Sequence, residues 1–130
     1  MRSIKNLQLG ISAFVVIVAG LAYGFNPGNI LYQIFGFEVT GLGLQNIFKA
    51  IMGLYLTLGV FWIVGIRNLS LWRTATLTNV LFIGGLALGR CVSLIVDGFS
   101  APWAVATLLE LFMMTWGIRN LRQERGSGDQ

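Results

Sequence analysis

Three charged side chains fall within or at the edge of long apolar runs: Lys49, Arg90 and Glu110. A charge at the centre of a membrane helix costs about 2.5 to 3.5 kcal/mol on insertion scales, so each demands a partner or a purpose. Arg90 and Glu110 each stand ten residues from Ser100. If the chain turns back near Ser100, an antiparallel hairpin sets both at one depth, and an ion pair between them is expected. Arg90, Ser93 and Asp97 follow i, i+3, i+7 spacing and share a helical face, as do Thr107, Glu110 and Met114. Tyr55, inside an earlier apolar run, carries a hydroxyl that needs a partner. The candidate ligand-binding or buried polar cluster is therefore Lys49, Tyr55, Arg90, Ser93, Asp97 and Glu110.

Three uses of this cluster stand open. In the first, Arg90 and Glu110 join two helices, while Lys49 and Asp97 reach the outer headgroup layer. In the second, a small polar pocket in the outer half lets Arg90 and Lys49 hold an anionic or carbonyl-bearing group, with Glu110 orienting Arg90. In the third, Glu110 carries a proton during transport, a use that a neighbouring arginine works against. Histidine is absent and Cys91 is the single thiol. Haem ligation, a zinc site and a histidine relay thus lack their usual residues, and neither a metal, a cofactor nor a catalytic set is expected. No internal disulfide can form.

The elements that must position these groups are membrane helices. Hydrophobic residues make up 55% of the 130 and charged ones 11%, against about 25% in soluble proteins. The nine Lys and Arg outnumber five Asp and Glu, yet the basic residues gather at the ends of apolar runs, where anionic lipid headgroups lie. That placement argues for membrane lipids as partners and against nucleic acid. A span needs about 20 apolar residues to cross about 30 Å of hydrocarbon. Four segments qualify, at about 7–25, 47–66, 74–96 and 101–118. The first could be read as a signal peptide, with Arg2 and Lys5 ahead of an apolar stretch reaching Gly20 and Ala22; it is taken here as a retained span.

The expected fold is all-α, an integral membrane four-helix bundle in one domain over residues 1–122, with a polar cytoplasmic tail at 123–130. Seven of the nine basic residues fall at the amino end, in the Arg67 to Arg73 connection and after Ile118, leaving Lys49 and Arg90 for the other face. By the positive-inside rule both termini are cytoplasmic, in a multi-pass protein of the inner membrane. Asn26-Pro27-Gly28-Asn29 signals a turn, followed by Ile30, Leu31, Ile34 and Phe35 at the spacing of a short interfacial helix. That connector is either packed against the bundle or a lid over a cavity. Gly20 and Gly24, and again Gly85 and Gly89, have the spacing that lets helix backbones approach; Gly53 and Gly59 are expected to serve likewise. Trp62, Trp72, Trp103 and Trp116 lie near span ends, as interfacial anchors do.

Met52-Gly53-Leu54-Tyr55 with Leu58-Gly59, then Gly85-Leu86-Ala87-Leu88-Gly89-Arg90 with Ser93-Leu94 and Asp97-Gly98, carry a family likeness. On these motifs the chain resembles a group of small bacterial membrane proteins known as domain of unknown function 4345, over nearly its whole length. The resemblance implies a four-helix membrane protein and supplies no activity and no catalytic residues. More loosely, the layout is similar to the DoxX-like four-helix membrane proteins, a likeness of architecture that assigns no function. The function expected is a binding or accessory subunit for a lipid-like or anionic small ligand or a larger membrane complex or homo-oligomer, without an assignable enzymatic activity. The alternatives are a small-molecule transporter, proton-coupled through Glu110, and a membrane enzyme using Arg90, Glu110 and Tyr55 on a hydrophobic substrate.

Overall fold

Apolar residues dominate every long segment, and a helix lets each cross lipid with its backbone groups bonded within the segment itself. The computed structural model describes residues 2–36 and 38–127 and consists of five helices: α1 (Arg2–Gly24), α2 (Pro27–Phe35), α3 (Leu42–Arg67), α4 (Leu69–Val96) and α5 (Ala101–Ser127). Four of these, α1, α3, α4 and α5, are long and apolar enough to span a membrane. The protein is a four-helix membrane bundle with one short extra helix. The first segment begins its apolar helix at Ile4, and the others reach beyond the spans expected from hydropathy at one or both ends.

Local chemistry explains the ends. Asn68 alone joins α3 to α4, accepting hydrogen bonds from the Ser70 backbone N–H at 3.1 Å and the Ser70 hydroxyl at 2.8 Å, which satisfies a donor of the new helix. The turn expected at residues 26–29 is already the start of α2: Asn26 caps the helix, Pro27 opens it, and the Ile30 N–H donates to the Asn26 carbonyl at 3.0 Å. Proline suits that first position because its missing N–H would have no partner there. Gly36 ends α2 at φ 73, and Gly98 turns the chain between α4 and α5 at φ 114, values that favour glycine. The polar tail expected from Gln123 is helical as far as Ser127. Arg122, Gln123, Glu124 and Arg125 are good helix formers and nothing breaks the run before Gly126; residues 128–130 lie outside the described ones.

α1 packs most extensively along α3, and α4 along α5, with α3 against α4 closing the bundle. Lipid tails are as apolar as leucine, so helix association inside a membrane rests on close packing and hydrogen bonds rather than on hydrophobic exclusion. The exposed side chains bear this out: Phe14, Val18, Leu81, Leu88, Leu108 and Phe112 all point outward. Small residues line the contacts instead. A side chain added at Gly20 or Gly24 would run into Tyr55 or Met52 of α3, one at Gly59 into Ile17, and one at Gly65 into Ala75. Gly53, Gly85 and Gly89 have nothing within 4 Å of such a side chain. Thus one of the two small-residue motifs is a helix contact within the chain and the other is not.

Two tryptophans depart from the expected anchor role. Trp62 is fully buried, its indole N–H donating to the Thr78 hydroxyl at 3.2 Å, and Trp72 is 5% exposed. They sit in a core with Leu9, Ala13, Val16, Tyr55 and Ala75. The Lys5 ammonium lies 5.8 Å from the centre of the Trp72 ring. Hydropathy alone cannot separate a tryptophan at the headgroup layer from one turned inward at the same depth.

Candidate functional site

α4 and α5 run antiparallel in one register. Val80 meets Gly117, Gly84 meets Met114, and Arg90 meets Glu110. The third of these contacts is an ion pair in which the Arg90 Nε–H reaches both Glu110 oxygens, at 2.9 and 3.0 Å. The side chains keep 22% and 16% of their surface, so the pair is largely but not wholly enclosed. Because the bond uses Nε, Arg90 also has its two Nη groups as hydrogen-bond donors.

Aromatic side chains flank the guanidinium. Arg90 sits over the Trp103 ring, 4.8 Å from its centre, and Trp103 is stacked on Phe35 of α2 with centroids 4.9 Å apart. A planar, weakly hydrated guanidinium is suited to such a face. From the other side, Tyr23 of α1 brings its hydroxyl against Arg90. Its ring meets Tyr55 edge-on at 5.7 Å, and Tyr55 in turn meets Phe82 at 5.1 Å. The site therefore draws on all five helices: Tyr23 from α1, Phe35 from α2, Tyr55 from α3, Arg90 from α4, and Trp103 with Glu110 from α5. Of the two roles open to α2, packing describes the structure, since its Pro27 and Leu31 are buried and Phe35 lies on Trp103.

The six candidate residues separate into groups. Arg90 and Glu110 come together, and Tyr55 is linked to them through the ring of Tyr23. Ser93 and Asp97 form their own exposed pair, the Ser93 hydroxyl donating to Asp97 at 2.8 Å where α4 ends. Lys49 is exposed on α3, and among the described residues no hydrogen bond or ion pair ties it to the cluster. Tyr23, Trp103 and Phe35 were not among the candidates. Trp103 resembled an anchor by its place at a span end, and nothing in the spacing of Tyr23, at the end of the first apolar run, links it to Arg90.

A second polar group, absent from the sequence reading, lies towards the end of the bundle that carries both termini. Gln8 and Asn79 are completely buried, and the Gln8 amide donates to Asn79 Oδ1 at 2.7 Å. The same nitrogen lies 3.3 Å from the Met113 carbonyl and 3.4 Å from the Ser12 hydroxyl. Nearby, the Asn120 amide donates to the Lys5 carbonyl at 3.5 Å. These bonds tie α1 to both α4 and α5, helices it touches little elsewhere. In lipid such side-chain bonds contribute about 0.6 kcal/mol on average and up to about 2 kcal/mol each, which makes this a structural clasp.

A four-helix membrane bundle with an aromatic-flanked ion pair between α4 and α5 is the class of protein that fold and site define. Residues 4–119 match the family described as domain of unknown function 4345, and the chain belongs to that family. No curated protein and no solved structure matches it.

Proposed function

We propose that the chain is a non-enzymatic binding or accessory protein of a bacterial inner membrane, taking the head of a lipid-like ligand at Arg90. The observation that carries this reading is the Arg90 guanidinium itself. It bonds Glu110 through Nε and sits over the Trp103 ring, and the Arg90 side chain keeps 22% of its surface. Glu110 and Trp103 thus fix its plane in advance, so little side-chain freedom remains to be lost when a ligand accepts from the Nη groups. Because Glu110 offsets the positive charge, a carbonyl-bearing head suits the site better than a second full anion. The ring of Tyr23, Tyr55, Phe35 and Trp103 would face the apolar part adjoining that head.

The test is retention of ligand by protein extracted gently from its own membrane. Arg90→Lys keeps the charge and loses the planar fork, so it should lose most of the ligand; equal retention by the two proteins contradicts the reading.

The orientation proposed is both termini in the cytoplasm. Its support is the gathering of Arg67, Arg73, Arg119 and Arg122 at the termini end and the positive-inside rule. Arg90 then lies in the outer half. A cysteine placed at Thr40, exposed in the α2 to α3 connection, should react with an impermeant thiol reagent from outside the intact inner membrane. Labelling only after the membrane is opened would reverse the orientation.

A further inference from the structure

Where α4 and α5 meet at the termini end, their outward surfaces form a groove of about 210 Å³ lined by Arg73, Leu77, Ile118, Leu121 and Arg122. An adjoining groove of about 400 Å³ shares Ile118 and Arg122 and adds Arg119. In the first groove arginines rim an apolar floor; the second also holds Thr115 and Gln123, and neither lining has a carboxylate. Arg73, Arg119 and Arg122 are exposed, and none has an ion-pair partner among the described residues. Among the described residues the ion-paired cation is Arg90, seventeen positions along α4 from Arg73, which is about 25 Å of helix.

We infer that this groove is a seat for one anionic phospholipid, its phosphate held between Arg73 and Arg122 and an acyl chain laid along Leu77, Ile118 and Leu121. The charge and the shape each select the occupant. Guanidinium groups present paired donors matched to phosphate oxygens, and arginines at the ends of membrane helices stand at headgroup depth. Below them the floor offers only aliphatic carbon, as a chain descending into the bilayer requires. A zwitterionic phospholipid brings its own cation to the same place, and the three arginines repel it. Arg119 widens the positive field on the side of the second groove and admits a headgroup that carries further negative charge. This site is independent of the one at Arg90.

The experiment uses the full chain in mixed micelles containing equal amounts of phosphatidylglycerol and phosphatidylcholine with the same acyl chains, read by native mass spectrometry. The wild type should retain phosphatidylglycerol preferentially. Affinity should fall about fivefold on Arg73→Gln or Arg122→Gln and about thirtyfold on both together. Arg67→Gln removes the same charge from the same end outside the groove, and it should change retention less than about twofold. Both groove residues are exposed, so the helical circular dichroism spectrum should be unchanged; the double Lys variant, which keeps the charge, should restore most of the binding. Arg90→Lys should leave it intact, which separates this site from the proposed ligand site. Equal retention of the two lipids, or a loss on Arg67→Gln as large as on Arg122→Gln, overturns the inference.

Discussion

Glu110→Gln should lower the stability of the bundle by about 3 kcal/mol, because it leaves the Arg90 charge unpaired inside an apolar span. The carboxylate holds Arg90 Nε with both oxygens, and no other acid reaches that guanidinium among the described residues. Arg90→Gln should cost a similar amount for the converse reason. The double variant should be less damaged than the sum of the two, with a coupling of about 2 kcal/mol, since two neutral amides of similar shape leave no buried charge. Unfolding in mixed detergent, or by steric trapping in bicelles, gives the four values of the cycle. Strict additivity would mean that the two side chains lie near one another without acting on one another.

The second large effect is expected at Gly20. A side chain there would begin 2.8 Å from the Tyr55 Cβ, an atom fixed to the backbone of α3 that cannot swing aside. Gly20→Leu should therefore push α1 off α3 and cost about 3 kcal/mol, at the upper end of overpacking effects. The damage should spread to the site, because Tyr23 and Tyr55 meet edge-on across that same contact. Gly89→Leu is the control, as nothing lies within 4 Å of an added Cβ there, and its effect should stay within about 0.5 kcal/mol. Equal effects at the two positions would contradict the helix arrangement described.

How much of this can be read from the chain differs by residue. The spans follow from hydropathy, and the pairing of Arg90 with Glu110 follows from their equal distance from the turn at Ser100. A hairpin of neighbouring helices has one antiparallel register, and arithmetic along the chain finds it. The clasp of Gln8 and Asn79 is different. Seventy-one positions separate them, and their meeting depends on which helix stands beside which and on how each is rotated. Neither is encoded in hydropathy when every face of a helix is apolar. The same limit hid the burial of Trp62 and Trp72, and it hid Tyr23 beside Arg90. Gly20 and Gly89 make the point again: both belong to the same spacing motif, but one meets α3 and the other meets nothing within the chain. Helix rotation also separates Lys49 from the site, although its depth and charge suggested membership.

The ion pair has two consequences that are to be kept apart. It holds α4 to α5 whatever else it does, and the double-mutant cycle measures that. Its seating over Trp103, with α2 stacked behind through Phe35, is more than a bond between two helices needs, and on this the proposed binding role depends. Joining Arg90 and Glu110 would serve stability alone with any side chain at residue 103.

The most direct test of that role is native mass spectrometry of the wild-type protein released gently from its own membrane. The proposal predicts a discrete adduct of a single mass at one copy per chain, present in the wild type and largely lost in Arg90→Lys. A protein that emerges bare, or one whose every adduct Arg90→Lys retains in full, would contradict it and leave the pair as a structural tie between α4 and α5.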